Sequence, residues 1–277
     1  MKNSVIFLFI IALAVTNSCK NSEAFSKQSV KSLMKVETVS YKSSFNSDLS
    51  NGIFLLYDLK ENKLIEYKGL QKDTMLIPAS TFKIPNSLIG LETGAVKDEL
   101  TEFQWNGKTY RNQSRNKEQN LIEACQNPTV LYFYELARKM GERHMRKFMA
   151  QFNYGNQNTG GRIDQFCSSG DLRISPLQQL DFLKGLWDEE LKLSKKTIKT
   201  KNKEFLVEKR GESTLYAKTG WGFTDGSDVG WYMGVVENGN STYLFVHVLV
   251  SKDSRLELFS EARKSIARKI LAEKGIL

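Results

Sequence analysis

Ser80 and Lys83 lie three positions apart at the start of a predicted helix and could act together as a nucleophile and a base. Residues three apart on a helix face the same way, so the lysine amine can reach the serine hydroxyl. A serine needs a neighbouring base to become a useful nucleophile, and an ordinary lysine, with a pKa of about 10.4, is protonated at neutral pH. Burial disfavours the charged amine, and apolar neighbours such as Phe82 and Leu88 predict that burial.

A second element follows roughly 140 residues downstream, where Lys218, Thr219 and Gly220 end a predicted strand. The lysine and the threonine offer a cation and a hydroxyl to a substrate carboxylate, and the glycine lets a ligand approach the backbone. Each element is weak evidence alone, because a capping serine or a strand-end turn uses the same residues. Their ordered combination predicts a serine acyl-transfer site.

Other catalytic chemistries find little support in the sequence. The chain has two histidines, His144 in a polar stretch and His247 within an apolar strand, and no Gly-x-Ser-x-Gly motif. A Ser-His-Asp triad is therefore poorly supported, and His247 is better explained as a hydrogen-bonded strand residue. With two histidines and three scattered cysteines, the sequence also gives little support to a zinc enzyme, and we expect no metal.

The elements that must position these residues fall into three blocks. Residues 52–57 and 64–67 predict a strand hairpin, and a helix runs from Ser80 to Thr93, where Gly94 ends it. Residues 100–200 are mostly helical, with a helix over 129–141, an irregular glycine-rich loop over 154–173 and a helix over 177–186 that opens with Ser175-Pro176.

The last third predicts strands at 214–219, 228–237 and 242–251 and a closing amphipathic helix at 256–274. The fold class is therefore α/β (α+β), a mostly antiparallel sheet flanked by helices with an inserted all-helical lobe. We expect one catalytic domain over 20–277, with the sheet lobe at 50–95 and 205–277 and the helical lobe at 96–204.

The N-terminus predicts export. Lys2 precedes an apolar run over residues 5–15, which has the length of a signal peptide core and is too short to span a bilayer. Cys19 follows a small residue, as at a lipoprotein cleavage site, so residues 1–19 read as a signal peptide and Cys19 as a lipidation site that tethers a periplasmic protein to the membrane. Simple secretion is the alternative.

Charge and cysteines restrict the partners further. The net charge is +9, but basic and acidic residues alternate, and the basic run over 195–203 reads as a solvated face, so we expect no nucleic-acid partner. Cys125 and Cys167 can pair in an exported protein, although two free thiols are the favoured reading. Monomer and homodimer both remain open.

The sequence resembles a known family, the class D β-lactamases or oxacillinases. Residues 78–88 and 90–94 resemble the nucleophile helix, and residues 154–156 resemble the Tyr-Gly-Asn loop. Residues 172–176 resemble the end of the omega loop, and residues 216–221 the Lys-Thr-Gly strand. The resemblance spans roughly residues 50–275, and it implies the penicilloyl-serine transferase, or β-lactamase-like, fold.

The resemblance also implies a mechanism. Lys83 would react with carbon dioxide to become N6-carboxylysine, the base that activates Ser80 and later a water, with no other cofactor. The backbone N–H groups of Ser80 and Trp221 would form the oxyanion hole. Residues implied to hold a β-lactam substrate are Lys218, Thr219, Gly220, Arg263 and Val130; Lys218 also counts as catalytic.

Two positions depart from the family pattern. Pro128-Thr129-Val130 aligns with the family's Ser-x-Val motif, so a proline replaces the serine that helps to pass a proton to the leaving nitrogen, and Thr129 is a substitute hydroxyl. Cys167 aligns with the tryptophan that hydrogen-bonds the lysine carbamate, and a thiol is a poorer donor than an indole N–H. Both changes bear on proton transfer and deacylation.

Two alternatives to a hydrolase stay open. A penicillin-binding sensor or peptidase-like protein would be acylated at Ser80 without turnover, and a catalytically dead surface protein would keep only the fold. Intact Ser80, Lys83 and Lys218 favour the enzyme over the dead scaffold. Trp105, Phe223 and the turn at 223–228 are candidates for shaping the pocket, and the preferred β-lactams, carbapenems included, stay open.

Overall fold

Apolar strands from both ends of the chain form one seven-stranded sheet. The computed structural model describes residues 34–41, 51–104, 107, 109, 113, 116–127, 129–252 and 256–277. The strand order is β1-β3-β2-β7-β6-β5-β4. The strands are β1 (Lys35–Ser40), β2 (Asn51–Asp58), β3 (Lys63–Lys68), β4 (Leu206–Arg210), β5 (Ser213–Thr224), β6 (Ser227–Asn238) and β7 (Ser241–Ser251). Pairings from β3 through β2, β7, β6 and β5 to β4 are all antiparallel.

Four of the helices were predicted individually, and two more lie within the block that was predicted as mostly helical. They are α1 (Lys83–Glu92), α2 (Leu121–Gln126), α3 (Leu131–Gln151), α4 (Pro176–Trp187), α5 (Lys195–Glu204) and α6 (Leu256–Glu273). A 3₁₀ turn over Ala79–Phe82 precedes α1. Residues 154–173, the ω-loop, connect α3 to α4 and are largely irregular. No helix in the described ranges is both long and apolar enough to cross a membrane.

Helices cover both faces of the sheet. The side chains of Phe54, Tyr232 and Phe245 pack with Phe259 and Ile270 of α6 in one buried cluster. The intervening positions of β7 are buried as well, and α4 lies against β7 and β2. The prediction of a mostly antiparallel sheet flanked by helices with a helical insertion is confirmed. Residues Val36–Leu277 form one compact unit; the domain assignment over 20–277 stays a prediction.

Two predicted boundaries were wrong. Ser80 lies in the 3₁₀ turn over Ala79–Phe82, and α1 begins only at Lys83. The helix predicted to end at Gly141 does break there, where the backbone is not helical, and a further helical stretch of α3 continues to Gln151. Strand β5 runs to Thr224 and not to Thr219, because β6 pairs with it along its whole length.

Some predictions concern residues outside the described ranges. These are the signal peptide over residues 1–19, the lipidation site Cys19, Trp105 and Pro128. Strand β4, which the sequence analysis did not predict, pairs with β5 and has a register shift between Leu206 and Glu208. The two described cysteines, Cys125 and Cys167, are free thiols.

Candidate active site

Most of the residues that the sequence singled out meet in one pocket of about 470 Å³. It is lined by Ser80, Lys83, Gln126, Asn127, Thr129, Val130, Lys218, Thr219, Gly220, Trp221 and Arg263. Cys167 is not among the described residues that line this pocket. Phe223 lies beyond it, 65% exposed, near the turn between β5 and β6.

The nucleophile candidate lies in a strained turn. Ala79, directly before Ser80, has a left-handed backbone, which costs a residue with a side chain about 1–3 kcal/mol. Neighbouring bonds hold it there: the Ala79 N–H donates to the Cys167 carbonyl at 3.0 Å, and the Trp231 indole donates to the Ile77 carbonyl at 2.9 Å. Such strain persists only where the surroundings fix it, so the fold dictates the position of Ser80.

A series of buried side-chain hydrogen bonds supports the same turn. The Thr81 hydroxyl donates to the Pro78 carbonyl at 2.7 Å, and the Gln179 amide donates to the Thr81 hydroxyl at 2.8 Å. The hydroxyl of Tyr154, which belongs to the predicted Tyr-Gly-Asn loop, donates to Gln179 at 3.3 Å. Burial raises the pKa of Tyr154, so this phenol stays a neutral donor. The sequence analysis missed Gln179, which no local signal distinguishes.

Ser80 and Lys83 face the same pocket. Side chains three residues apart eclipse one another in a 3₁₀ turn. The prediction that Ser80 and Lys83 point the same way therefore holds although Ser80 lies in a 3₁₀ turn and not in an α-helix. Lys83 is only 6% exposed, and its amine donates to the main-chain carbonyls of Ala124 at 2.8 Å and Asn127 at 3.1 Å. The amine also lies 4.9 Å from the ring centroid of Phe133. The C-terminal end of α2 is therefore part of the site, and the sequence analysis missed it.

Gly220 brings strand β5 against the nucleophile turn. A Cβ added at this position would lie 3.0 Å from both the Pro78 carbonyl oxygen and the Thr81 methyl group. The sequence analysis assigned this glycine to close approach by a ligand. The structure adds a different reason, since the glycine accommodates the turn that carries Ser80.

The edge of β5 presents backbone donors to the pocket. The Ala217 N–H donates to the Phe205 carbonyl beside β4 at 2.8 Å, so it points away from β6. Backbone groups alternate in direction along a strand, so the N–H groups of Thr219 and Trp221 point to the same side. This geometry leaves the Trp221 N–H directed at the pocket that Ser80 also lines.

Two cations lie along this edge. Burial lowers the pKa of Lys218 from 10.5 to about 8, a shift that neighbouring Arg263 reinforces and Cys125 opposes. The Lys218 amine donates to the Thr219 carbonyl at 3.1 Å. The Arg263 guanidinium donates to the Gly220 carbonyl at 2.8 Å and lies 5.4 Å from the Trp221 ring. A carboxylate bound here would meet two positive charges and the Thr219 hydroxyl.

His247 fixes the helix that carries Arg263. Its ring is fully buried, with one nitrogen 2.8 Å from the Tyr41 hydroxyl and the other 2.8 Å from the Arg263 carbonyl. Burial lowers the pKa of His247 to about 4, so the ring is neutral at ordinary pH. The prediction of a hydrogen-bonded strand histidine is confirmed, and its contact gives it a positioning role.

The opposite wall comes from the helical lobe. Thr129 is 1% exposed and lines the pocket together with Val130, the residue that precedes α3. Cys167 lies in the ω-loop, where burial raises the pKa of its thiol to about 12. The thiol therefore stays protonated at neutral pH, and the residue reaches the nucleophile turn through its main-chain carbonyl.

Comparisons with known proteins show which family the chain resembles over most of its length. A family model described as the penicillin binding protein transpeptidase domain matches residues 36–272. Beta-lactamase OXA-5 of Pseudomonas aeruginosa is 38% identical over 87% of this chain and 90% of its own length. The crystal structure of a class D beta-lactamase from Sebaldella termitidis ATCC 33386 is 33% identical, covers 88% of this chain and 99% of that chain, and superposes with a TM-score of 0.84.

A receptor domain is similar as well. The structure of the C-terminal domain of the Bacillus licheniformis BlaR penicillin-receptor is 28% identical and covers 88% of this chain and 98% of that domain, with a TM-score of 0.81. Penicillin-recognising proteins of two kinds, hydrolases and a receptor, thus resemble this chain over nearly the same span.

Proposed function

Because the chain belongs to the class D β-lactamases, a family of serine hydrolases, we propose that it opens the β-lactam ring of penicillins and related antibiotics through an acyl-enzyme on Ser80. The observation that carries this proposal is the single pocket in which Ser80, Lys83, Lys218 and Arg263 meet. A nucleophile, a base and two carboxylate-binding cations in one cavity are what ring opening of an anionic lactam requires.

The base is proposed to be Lys83 in its carboxylated form. Its surroundings can accommodate the modification, because the amine is buried and lines the pocket that Ser80 also lines. Its hydrogens point at two main-chain carbonyl oxygens. The carboxylated side chain supplies an anionic oxygen that can accept a proton from Ser80. Carboxylation leaves the nitrogen a single hydrogen, so one of its two carbonyl bonds must be given up.

Acylation then proceeds along the β5 edge. The Ser80 oxygen attacks the lactam carbonyl carbon while its proton passes to the Lys83 side chain. The N–H groups of Ser80 and Trp221 are proposed to stabilise the carbonyl oxygen as negative charge develops on it. Lys218, which is largely protonated at neutral pH because its pKa is about 8, is proposed to donate the proton that the departing ring nitrogen needs.

Deacylation reverses the roles. The proton that Lys83 took from Ser80 first passes to Lys218, which restores the base and the acid. Lys83 would then take a proton from a water that attacks the ester carbon and return it to the Ser80 oxygen as Ser80 leaves. Thr219 and Arg263 are proposed to keep the substrate carboxylate in place through both steps, while Val130 forms part of the opposite wall. Thr129 offers a second hydroxyl in the same pocket, which supports a proton-relay role in place of the family serine.

A penicillin receptor that stays acylated is the second candidate. The likeness to the BlaR penicillin-receptor domain favours it, and so does Cys167, which offers a thiol in place of the family's indole. One experiment separates the candidates: purified protein is mixed with a chromogenic cephalosporin and with a fluorescent penicillin. Steady turnover supports the hydrolase, and stable labelling without turnover supports the receptor. The absence of both would contradict each candidate.

Export and anchoring are proposed from the sequence. Residues 1–19 supply the signal peptide, and lipidation at Cys19 would tether the mature protein to the membrane at its periplasmic side. Metabolic labelling with an alkyne fatty acid tests this, because wild type should incorporate the label and Cys19→Ser should not. Equal labelling of both would overturn the anchor.

A further inference from the structure

A second cavity of about 400 Å³ adjoins the active-site pocket. Gln126, Lys218 and Thr219 line both cavities, so the two meet at the edge of β5. Together they form one cleft that follows this edge from Trp221 towards β4. We call the added cavity the second pocket; the proposed reaction leaves it without a role.

A local irregularity opens the second pocket. Strand β4 pairs regularly with β5 only from Glu208 onwards, since the register shifts between Leu206 and Glu208. Val207 lies in this shift and is 49% exposed, and it lines the second pocket beside Phe205 and Leu206. Register shifts of this kind redirect side chains at sheet edges and next to active sites. The result is an apolar wall beside the edge of β5.

The second pocket is also basic. Among the described residues that line it, those with charged side chains are Lys218 and Lys264, both lysines. Lys264 lies 3.1 Å from Glu261, but that carboxylate is 71% exposed and the pair is weak because water screens it. The second pocket therefore combines an apolar wall with positive charge, which suits a flat apolar group that carries a negative charge.

Substrate chemistry determines what would reach the second pocket. With the lactam carbonyl held at Ser80 and Trp221, as proposed above, the ring carboxylate would lie at Thr219 and Arg263. In a cephalosporin, the carbon next to the carboxylate-bearing carbon carries the C3 substituent. That substituent would then leave the ring on the side of Thr219, which lines the second pocket as well.

We infer that the second pocket is a subsite for the C3 substituent of cephalosporins, with a preference for anionic heteroaryl groups that Lys264 confers. The inference rests on the proposed function, because it takes the position of the lactam from Ser80. Lys264 is a specificity-determining residue here, since it contacts the substituent and takes no part in the bond changes. Val207 limits the depth of the subsite from the apolar wall.

The test uses three cephalosporins with the same C7 side chain and a C3 methyl, a neutral heteroarylthiomethyl or a carboxylate-bearing heteroarylthiomethyl group. Lys264→Met should lower kcat/KM for the anionic substrate by about fivefold, the size of a partly exposed ion pair, and leave the other two within about twofold. Lys269→Met is the matched control, an exposed lysine of the same helix, and should change none of the three.

A second variant tests the location of the subsite. Val207→Trp fills the apolar wall at an exposed position, so it should lower kcat/KM for both heteroaryl substrates and not for the C3-methyl one. If both variants leave the ratios between substrates at the wild-type values, the subsite is wrong while the proposed function stands. If wild type fails to hydrolyse even the C3-methyl cephalosporin, the proposed function itself falls.

Discussion

The two walls of the active-site pocket differ in how closely they follow the family pattern. The strand wall, formed by Lys218, Thr219, Gly220 and Trp221 of β5, carries the family's residues and is held in a long antiparallel pairing with β6. The helical wall, formed by Gln126, Asn127, Thr129 and Val130, contacts Lys83 through main-chain carbonyls. Both departures from the family pattern, Pro128 and Cys167, fall in the helical part of the sequence and not in β5.

This difference separates substrate binding from turnover. The groups proposed to hold a carboxylate and a developing oxyanion lie on the strand wall, so acylation should resemble that of relatives. The groups that contact the Lys83 amine lie on the helical wall, and Cys167, which aligns with the family's tryptophan, contacts the nucleophile turn through its main-chain carbonyl. Substitutions in each wall can therefore separate substrate binding from turnover.

Ser80 is where the two walls meet, and its removal should have the largest effect. Ser80→Ala should lower kcat by on the order of 10³-fold or more, because no covalent intermediate can form. Steady-state hydrolysis of a chromogenic cephalosporin measures it. Ser168→Ala is the matched control, an exposed ω-loop serine whose hydroxyl donates to the Gln165 carbonyl at 3.2 Å, and should keep wild-type rates. Wild-type turnover by Ser80→Ala would refute the whole site.

Lys218 tests the charge of the strand wall. Lys218→Met should lower kcat/KM by about 10²-fold, as expected when a charged group at a reacting centre is lost. In wild type the protonated amine is the active form, and its pKa is lowered to about 8, so kcat/KM should fall as the pH rises through 8. Lys218→Arg stays charged and should lack this alkaline limb. If kcat/KM of Lys218→Arg still falls as the pH rises through 8, the titrating group is not Lys218.

Gly220 tests how the strand wall is joined to the nucleophile turn. Gly220→Ala should destabilise the protein by about 1–3 kcal/mol, because the new methyl group would overlap backbone and side-chain atoms of the turn. Urea unfolding measures it. In Gly185→Ala of α4 the methyl group meets only the Leu191 side-chain end at 3.0 Å, so this control should lose less. Equal losses at both positions would argue against the tight junction.

Cys167 tests the departure from the family pattern in the ω-loop. Cys167→Trp restores an indole donor, and a hydrogen bond to a charged group is worth about 1.5–3 kcal/mol, so the bicarbonate concentration that half-restores activity should fall by about ten- to a hundredfold. Activity after removal of carbon dioxide, measured against added bicarbonate, shows it. Cys167→Ser is the matched control without an indole and should keep the wild-type requirement. If wild type does not respond to bicarbonate at all, the carboxylated lysine is wrong.

Much of the fold was predictable because its signals are local. The hairpin of β2 and β3 and the three C-terminal strands follow from runs of apolar residues, and α4 begins at the Ser175 cap that the sequence indicated. Strand β4 was missed because its residues are mostly polar and half-exposed, so no periodicity marks it. The extension of β5 to Thr224 comes from pairing with β6, which is a long-range interaction.

The candidate nucleophile, its neighbouring lysine, the Lys-Thr-Gly strand and their order could be found from the sequence alone, because they depend on side-chain type and short spacing. Only the tertiary structure decided that main-chain carbonyls of Ala124 and Asn127 hold the Lys83 amine, and that Cys167 fixes the backbone of Ala79. Every residue has a carbonyl, so nothing in a sequence marks the ones that a fold brings to a distant amine.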